Sequence, residues 1–445
     1  MRFTVTKASE GYVRPAEPTP AGSLTLDWIG RYPTHRGLVD SLHIFEHGKE
    51  PAKVIREALA KALVPYYPLA GRIVQPEGCD PRVECTGEGI WFVEASADCS
   101  LADVNHLERP LMLAHEDLVP YTELETSPAD TIMMIQATRA VIETFKMEQL
   151  LQCCDDVLLT ISLMLASQEQ VTEFACGGFV VGLRFNHASA DGMGSAQFIY
   201  AVGELARGLP EPTVKPVWDR DSYPNPKVKP APLPDLPKLA LEYSELNFPA
   251  HYINQLKNQY LEHANGRWCS TFDIIIAKVW QCRTRAVYSD PDVNIRMCFF
   301  ASTRHILKVN KGYYGNSIFP VKVSTTSGKI MSSPVVEIVD LIKKAKDQMA
   351  VDVLKWANDE FESDPFSMTF NYETIYVSDW TKLGFSEVDY GWGIPMYCGP
   401  FTNNDYIASC ILLKAPAPFQ GTRLIARCVS SEHADAFSEQ LNRFD

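Results

Sequence analysis

His187 and Asp191, four residues apart and followed by Gly192, close an apolar run, Gly177-Gly-Phe-Val-Val-Gly-Leu-Arg-Phe-Asn-His-Ala-Ser-Ala-Asp-Gly192. An imidazole with its ordinary pKa near 6.5 takes up a proton near neutrality, and a positioned base of this kind contributes roughly 10²–10⁴ in rate. A histidine just past a strand end, walled by small residues, can reach into a cleft. The spacing alone is weak. Ten histidines, each with roughly a 6% chance of Asp four residues on, give about 0.6 accidental matches in such a chain. On His187 alone, a structural histidine and a general base are equally good readings. A second segment, Val388-Asp-Tyr-Gly-Trp-Gly-Ile-Pro395, puts Asp389, Gly391, Trp392 and Gly393 in a rigid aromatic loop. Its bland reading is a structural turn, and that reading is preferred whether or not the chain is an enzyme. No GxSxG elbow marks a serine hydrolase. No HExxH or paired ligand spacing marks a metal site, so none is expected.

The elements that must hold these residues are legible on both sides of a proline-rich stretch. Residues 210–237 hold nine of the thirty prolines, a density that stiffens the chain and excludes helix and central strand. This reads as a crossover between an N-terminal domain, 1–209, and a C-terminal domain, 238–445, with Trp218 and Tyr223 as anchors. Pro51 opens a helix whose stripe is Val54, Ile55, Ala58, Ala62 and Leu63. A second helix follows Gly194 and stops at Gly208. A third starts at Ser270, with Asp273 completing a capping box. A fourth begins at Ser333-Pro334, and a last one carries Phe437, Leu441 and Phe444. Alternation predicts a strand around Val293–Phe299. Similar patterns cover Gly178–Phe185, Ile318–Val323, Thr374–Val377 and Ser409–Leu413. Helices and strands mix without a strict βαβ rhythm, which suggests a mixed α/β fold with two comparable halves.

Bulk properties narrow the classes. The chain has 445 residues and a formal net charge of -14, with a pI near 5.3. Such a surface repels phosphate backbones, so nucleic acid is not an expected partner. The start, MRFTVTKASEGYVRP, lacks the apolar core of a signal peptide, and no apolar run reaches membrane-spanning length. The twelve cysteines are scattered without a CxxC pair, as expected for reduced thiols in the cytoplasm.

Taken together the motifs resemble those of the plant BAHD acyltransferases. That family is marked by HxxxDG near the middle and DFGWG near the C-terminus; here stand His187-Ala-Ser-Ala-Asp191-Gly192 and Asp389-Tyr-Gly-Trp-Gly393. Further matches are Leu63-Val-Pro-Tyr-Tyr-Pro-Leu-Ala-Gly-Arg72, Val83-Glu-Cys-Thr-Gly-Glu-Gly89, Cys269-Ser-Thr-Phe-Asp273 with Trp280, and Tyr313-Tyr-Gly-Asn316. The nearest likeness within the family is to grass hydroxycinnamoyl-CoA transferases of the monolignol and cell-wall group, which share Phe174-Ala-Cys-Gly-Gly-Phe-Val-Val-Gly182, Val377-Ser-Asp-Trp380 and the tyrosine of the Asp-Tyr-Gly-Trp-Gly loop. The resemblance implies two chloramphenicol-acetyltransferase-like domains with a channel between them. Acyl-CoA would enter as co-substrate from one face and a small alcohol or amine from the other, with no permanently bound cofactor and a monomeric enzyme. His187 would deprotonate the acceptor, Ser378 and Trp380 would hold the oxyanion, and Asp191 would pair with Arg304 to fix the loop. Ser270 and Thr271, at a helix start, are candidates for CoA phosphates, with a plain N-cap as the equal alternative. A hydroxycinnamoyl donor and a phenylpropanoid alcohol are the expected substrates. Benzoyl or acetyl transfer, to an amine or another acceptor, is the alternative. Peptide-forming condensation domains share HxxxDG but normally carry a second histidine before it, where this chain has Asn186.

One departure is expected to matter. The family runs a single strand from the equivalent of Ile132–Gln136 into Val171-Thr-Glu-Phe-Ala-Cys-Gly-Gly178, whereas here residues 137–170 intervene. This segment reads as a retained intron or an extruded loop. Placed inside a core strand it would break the ladder. If it is part of the protein, an inactive ligand-binding relative becomes the competing reading.

Overall fold

Alternating apolar residues in each half of the chain assemble into two six-stranded sheets with helices against their apolar faces. The computed structural model describes residues 3–120, 132–140, 177–227, 234–401 and 404–443. The N-terminal half supplies β1 (Val5–Val13), β2 (Ser23–Thr25), β3 (Leu38–Phe45), β4 (Arg72–Val74), β5 (Arg82–Glu84), β6 (Ile90–Ala97), β7 (Met133–Ala140) and β8 (Phe179–Asn186), with α1 (Pro51–Ala62) and α2 (Gly192–Ala206). The C-terminal half supplies β9 (Leu241–Pro249), β10 (Asn294–Ser302), β11 (Ile318–Thr326), β12 (Thr374–Asp379), β13 (Tyr397–Pro400), β14 (Ser409–Lys414) and β15 (Gly421–Ser430). Its longer helices are α3 (Ala250–His263), α4 (Thr271–Val287), α5 (Val335–Ala357) and α6 (Ser431–Leu441). Strand order is β1-β6-β7-β8-β3-β13 in one sheet and β11-β10-β12-β14-β15-β9 in the other; β2, β5 and β4 form a small third sheet. The fold is mixed α/β, as the patterning predicts.

β8, which delivers the histidine motif, is buried on both faces. Phe179, Val181, Leu183 and Phe185 join the core under α1 and α2, while Val180 belongs to a second cluster on the opposite face. Two buried faces explain why its sequence is a continuous apolar run and not an alternation. The helix expected to follow Gly194 starts earlier, at Gly192, because Asp191 caps it.

β7 corrects the expectation about residues 137–170. The ladder does not stop at Gln136. Ala137 to Ala140 continue it, pairing parallel with β6 as far as Ala140↔Ala97 and antiparallel with β8 as far as Arg139↔Phe179. Ala137 and Thr138 are both buried, like the rest of the strand before them, and the first exposed side chain is Arg139, so the two-faced burial of a central strand continues past Gln136. The rest of the segment lies outside the described residues. Gln136-Ala-Thr-Arg-Ala140 and Gln170-Val-Thr-Glu-Phe174 have the same Gln-x-Thr start, which predicts that a chain joining Gln136 to Val171 still completes the strand. Fusing Gln136 to Val171 shortens the connection into β8 from about 40 residues to about 5, which favours the shortened chain by roughly 2 kcal/mol of loop-closure entropy. We expect the shortened chain to keep its circular-dichroism spectrum and unfold at higher urea. Unfolding at lower urea would refute the equivalence of the two segments.

The halves exchange pieces, so the boundary drawn at residues 209–238 is crossed twice. β13, from the C-terminal half, forms the edge of the N-terminal sheet by pairing with β3, and Phe385, Val388 and Tyr390 join the N-terminal core. In return Trp28, Ile29 and Tyr32 belong to the C-terminal core. The proline-rich crossover is pinned where it is described: Tyr223 is buried, Trp218 lies 3.8 Å from the Arg220 guanidinium, and Val217 bridges to Tyr313.

Candidate active site

His187 is the first residue beyond β8, and its backbone is fixed on several sides. Its N–H donates to Gly37 O at 3.2 Å. Asn186 Oδ1 accepts from Ala188 N at 2.9 Å. Asn316 Nδ2 donates to the carbonyls of His187 at 3.0 Å and Ala188 at 3.2 Å. The side chain is half-buried. Its Nδ1 is buried with no hydrogen-bond partner, which leaves Nε2 as the nitrogen open to a ligand. Burial lowers the His187 pKa below its ordinary value, and the carboxylates of Asp191 and Asp27 offset that only in part. A group in this state is neutral at pH 7 and ready to accept a proton.

Asp191 is turned away from that ring. Its carboxylate takes two bonds from Arg304, at 2.7 and 2.9 Å, one from Gly194 N at 2.9 Å and one from Ser317 N at 3.0 Å. Burial alone would raise its pKa; the Arg304 charge and these N–H groups outweigh it and hold the carboxyl below the usual range. The pair joins α2 of one half to the β10–β11 connection of the other. At Gly194 a Cβ would sit 2.1 Å from Tyr314 O, so no larger residue fits between α2 and that connection.

The C-terminal sheet brings a second surface to the histidine. β10 and β12 run parallel with Phe299 beside Val377, both in the C-terminal core. Alternation then sets Phe300 beside Ser378 on the other face, where Ser378 is exposed. Phe300 meets His35 edge-on at 5.4 Å, and His35 meets His187 at 5.7 Å. The ring contacts thus lead from His187 through His35 to Phe300 of β10, the strand paired with the one that carries Ser378. Trp380 follows, half-buried against Phe385 at 5.5 Å.

The family assignment follows from the sequence as a whole. The profile of the Transferase family matches residues 3–140 and 165–443, passing over 141–164. This chain belongs to that family, the BAHD acyltransferases. It is an acyl-CoA-dependent acyltransferase. It is 56% identical over 439 residues to acyl transferase 9 of Oryza sativa subsp. japonica, covering 98% of this chain and 96% of that one. It is 38% identical over 473 residues to a myricetin 3-O-glucosyl 1,2-rhamnoside 6'-O-caffeoyltransferase of Crocosmia x crocosmiiflora, with 100% of both chains covered. Its fold is similar to that of vinorine synthase, with a TM-score of 0.68 and 16% identity, covering 97% of this chain and 96% of that one.

In this BAHD chain the Asp389–Gly393 loop is a structural turn among the described contacts. Asp389 Oδ1 accepts from Gly391 N at 2.7 Å and Gly393 N at 2.9 Å. Both glycines have positive φ, 113° and 95°, which other residues adopt only with strain. Trp392 packs on Phe179 at 5.6 Å, and Arg207 of the α2 C-cap donates to Asp389 O. Ser270 and Thr271 likewise resolve toward the plain cap. Ser270 Oγ accepts from Asp273 N at 3.1 Å and donates to Asp273 Oδ2 at 2.8 Å. Thr271 Oγ1 accepts from Lys257 Nζ at 2.7 Å. A carboxylate of the protein already occupies this helix start, so the expectation of a phosphate on these two hydroxyls is not supported.

Three residues at the site carried no sequence signal of their role. Asp27 is buried beneath the histidine loop, accepting from Gly30 N at 2.8 Å and Asn316 N at 2.9 Å, and burial raises its pKa despite the nearby Arg220. Asn316 was visible only as part of Tyr313-Tyr-Gly-Asn316. His35 belongs to no motif. Among the described residues no cluster of His, Cys, Asp and Glu could hold a metal ion, and no helix is long and apolar enough to cross a membrane.

Proposed function

We propose that this enzyme moves a hydroxycinnamoyl group from coenzyme A to a small phenylpropanoid alcohol by direct attack, with His187 as the base. The observation that carries this reading is His187 itself: half-buried, held neutral, and linked through His35 to Phe300 of the other half. The acceptor hydroxyl gives its proton to His187 Nε2 as its oxygen attacks the thioester carbon. The carbonyl oxygen becomes the oxyanion, and the hydroxyl of Ser378 and the indole N–H of Trp380 donate to it. One such donor is worth about 3 kcal/mol in a preorganised site. The intermediate collapses, the C–S bond breaks, and the departing CoA thiolate takes the proton from the His187 imidazolium. No acyl-enzyme forms. Asp191 and Arg304 hold the loop and take no part in proton transfer.

Lys257 and Lys343, flanking the exposed Trp268 and the Thr271 hydroxyl, are the groups we assign to CoA phosphates, because they supply local positive charge on an acidic chain. The hydroxycinnamoyl donor is supported by the motifs shared with grass transferases and by a relative named for caffeoyl transfer. Both walls of the site come from one chain, which supports action as a monomer. The free cysteines among the described residues fit the cytosol. The test is a panel of p-coumaroyl-, feruloyl-, caffeoyl-, benzoyl- and acetyl-CoA against coniferyl alcohol, read by product mass. The hydroxycinnamoyl thioesters are expected to give the ester fastest. Exclusive use of acetyl- or benzoyl-CoA would overturn the donor assignment, and release of CoA without ester would overturn the transfer itself.

A further inference from the structure

His35 is a second imidazole at the reaction centre. It lies at the end of a short turn, Pro33–His35, whose preceding residues Trp28, Ile29 and Tyr32 are embedded in the C-terminal core. Tyr32 is further tied to Asp364 through its hydroxyl. The ring is thereby pinned where the two halves meet. It stands edge-on to His187 at 5.7 Å and 70°, and edge-on to Phe300 at 5.4 Å and 87°. Thr34 Oγ1 lies 3.2 Å from its Nδ1. Nε2 makes no hydrogen bond to any described residue, although the side chain is only 7% exposed. Nε2 is thus not sealed in the interior, and a ligand that reaches it can bond to it.

The spacing of the two rings suits a single oxygen. Two hydrogen bonds of about 2.8 Å that meet at one oxygen set their two nitrogens about 4.5–5 Å apart, within reach of two imidazoles whose ring centres stand 5.7 Å apart. Resting on the transferase reading above, we propose that His35 positions the acceptor and selects an alcohol over an amine. Its Nε2–H donates to one lone pair of the acceptor oxygen, while the hydrogen of that hydroxyl goes to His187. Thr34 completes the chain by donating to Nδ1. An alcohol oxygen has two lone pairs, so one receives His35 and the other attacks the thioester carbon. A neutral amine has one lone pair and needs it for attack, so it cannot satisfy His35 at the same time. Burial, and then the neighbouring His187, push the His35 pKa down to about 3, so this ring does not compete for the proton that His187 takes.

The experiment compares His35→Phe and His35→Gln with the unaltered enzyme, using p-coumaroyl-CoA and the matched acceptors cinnamyl alcohol and cinnamylamine. His35→Phe keeps an aromatic ring between His187 and Phe300 but has no donor. His35→Gln retains an amide N–H near the place of Nε2. We expect His35→Phe to raise KM for the alcohol at least tenfold, leave KM for p-coumaroyl-CoA unchanged, and shrink the alcohol-to-amine ratio of kcat/KM. His35→Gln should recover much of both. Comparing ratios between variants cancels the protonation of the amine. A purely structural role would shift both KM values together, with no rescue by Gln. Overturning results are an unchanged alcohol KM and ratio in both variants, or a native preference for the amine, which would mean that Nε2 accepts. Failure of the unaltered enzyme to transfer to either acceptor would instead remove the transferase reading.

Discussion

Replacing His187 by alanine lowers kcat by about 10²–10⁴, the contribution of a positioned general base, while KM for acyl-CoA and the fold stay as they are. The fold is expected to survive because the bonds that hold this turn run to the main chain. Asn316 donates to the carbonyls of residues 187 and 188, and Gly37 O accepts the residue 187 N–H; alanine keeps all three. Nothing is orphaned either, since the lost Nδ1 had no partner. The pH profile gives an independent check. The folded-state pKa of His187 lies below 6.5, so the base is present above that value and kcat/KM falls as pH drops through the lowered pKa. The acid limb should therefore have its midpoint below pH 6.5 and vanish in His187→Ala. Wild-type turnover in the variant would refute the base.

Asp191→Ala is expected to act on stability. It leaves the Arg304 guanidinium, only 18% exposed, without its counter-charge; breaking a buried ion pair by removing one partner costs about 3–5 kcal/mol. The same change removes the cap of α2 and the acceptor for Ser317 N, each adding of the order of 1 kcal/mol. The sign with pH follows from the lowered carboxylate pKa. The stabilisation is complete above the unfolded pKa and is lost as pH falls through the folded one, so at neutral pH the whole effect is exposed. Urea unfolding at pH 7 measures it. Combining Asp191→Ala with Arg304→Met should recover part of the loss, because the stranded charge is gone. A single Asp191→Ala variant as stable as the native chain would show that the pair contributes nothing.

Local features of the site were legible in the sequence, and long-range ones were not. The strand–turn–helix around His187 follows from an apolar run ending at small and polar residues, and the Ser270 capping box from two side chains three residues apart. The arginine partner of Asp191 was reached through family likeness; no local spacing connects residues 191 and 304. Asp27 and His35, from one segment, and Asn316, from another, come to the histidine from two separate places in the chain, and their roles depend on packing partners more than a hundred residues away. The same holds for the exchanged pieces. Nothing local in Trp28 or Tyr390 says that each is buried in the opposite half. The strand at Ala137–Ala140 was misread for a different reason. A second, similar segment follows it, and pattern alone could not say which of the two the ladder would use.

The exchange of segments has a consequence for engineering. β13 covers the outer edge of β3, and Trp28, Ile29 and Tyr32 fill space in the opposite core. Cutting the chain at the proline stretch would uncover a ready template for strand addition on one fragment and leave a void in the other. Chimaeras between homologous enzymes therefore have to carry residues 28–35 with the recipient C-terminal half and 383–400 with the N-terminal one, or the joined product will not knit.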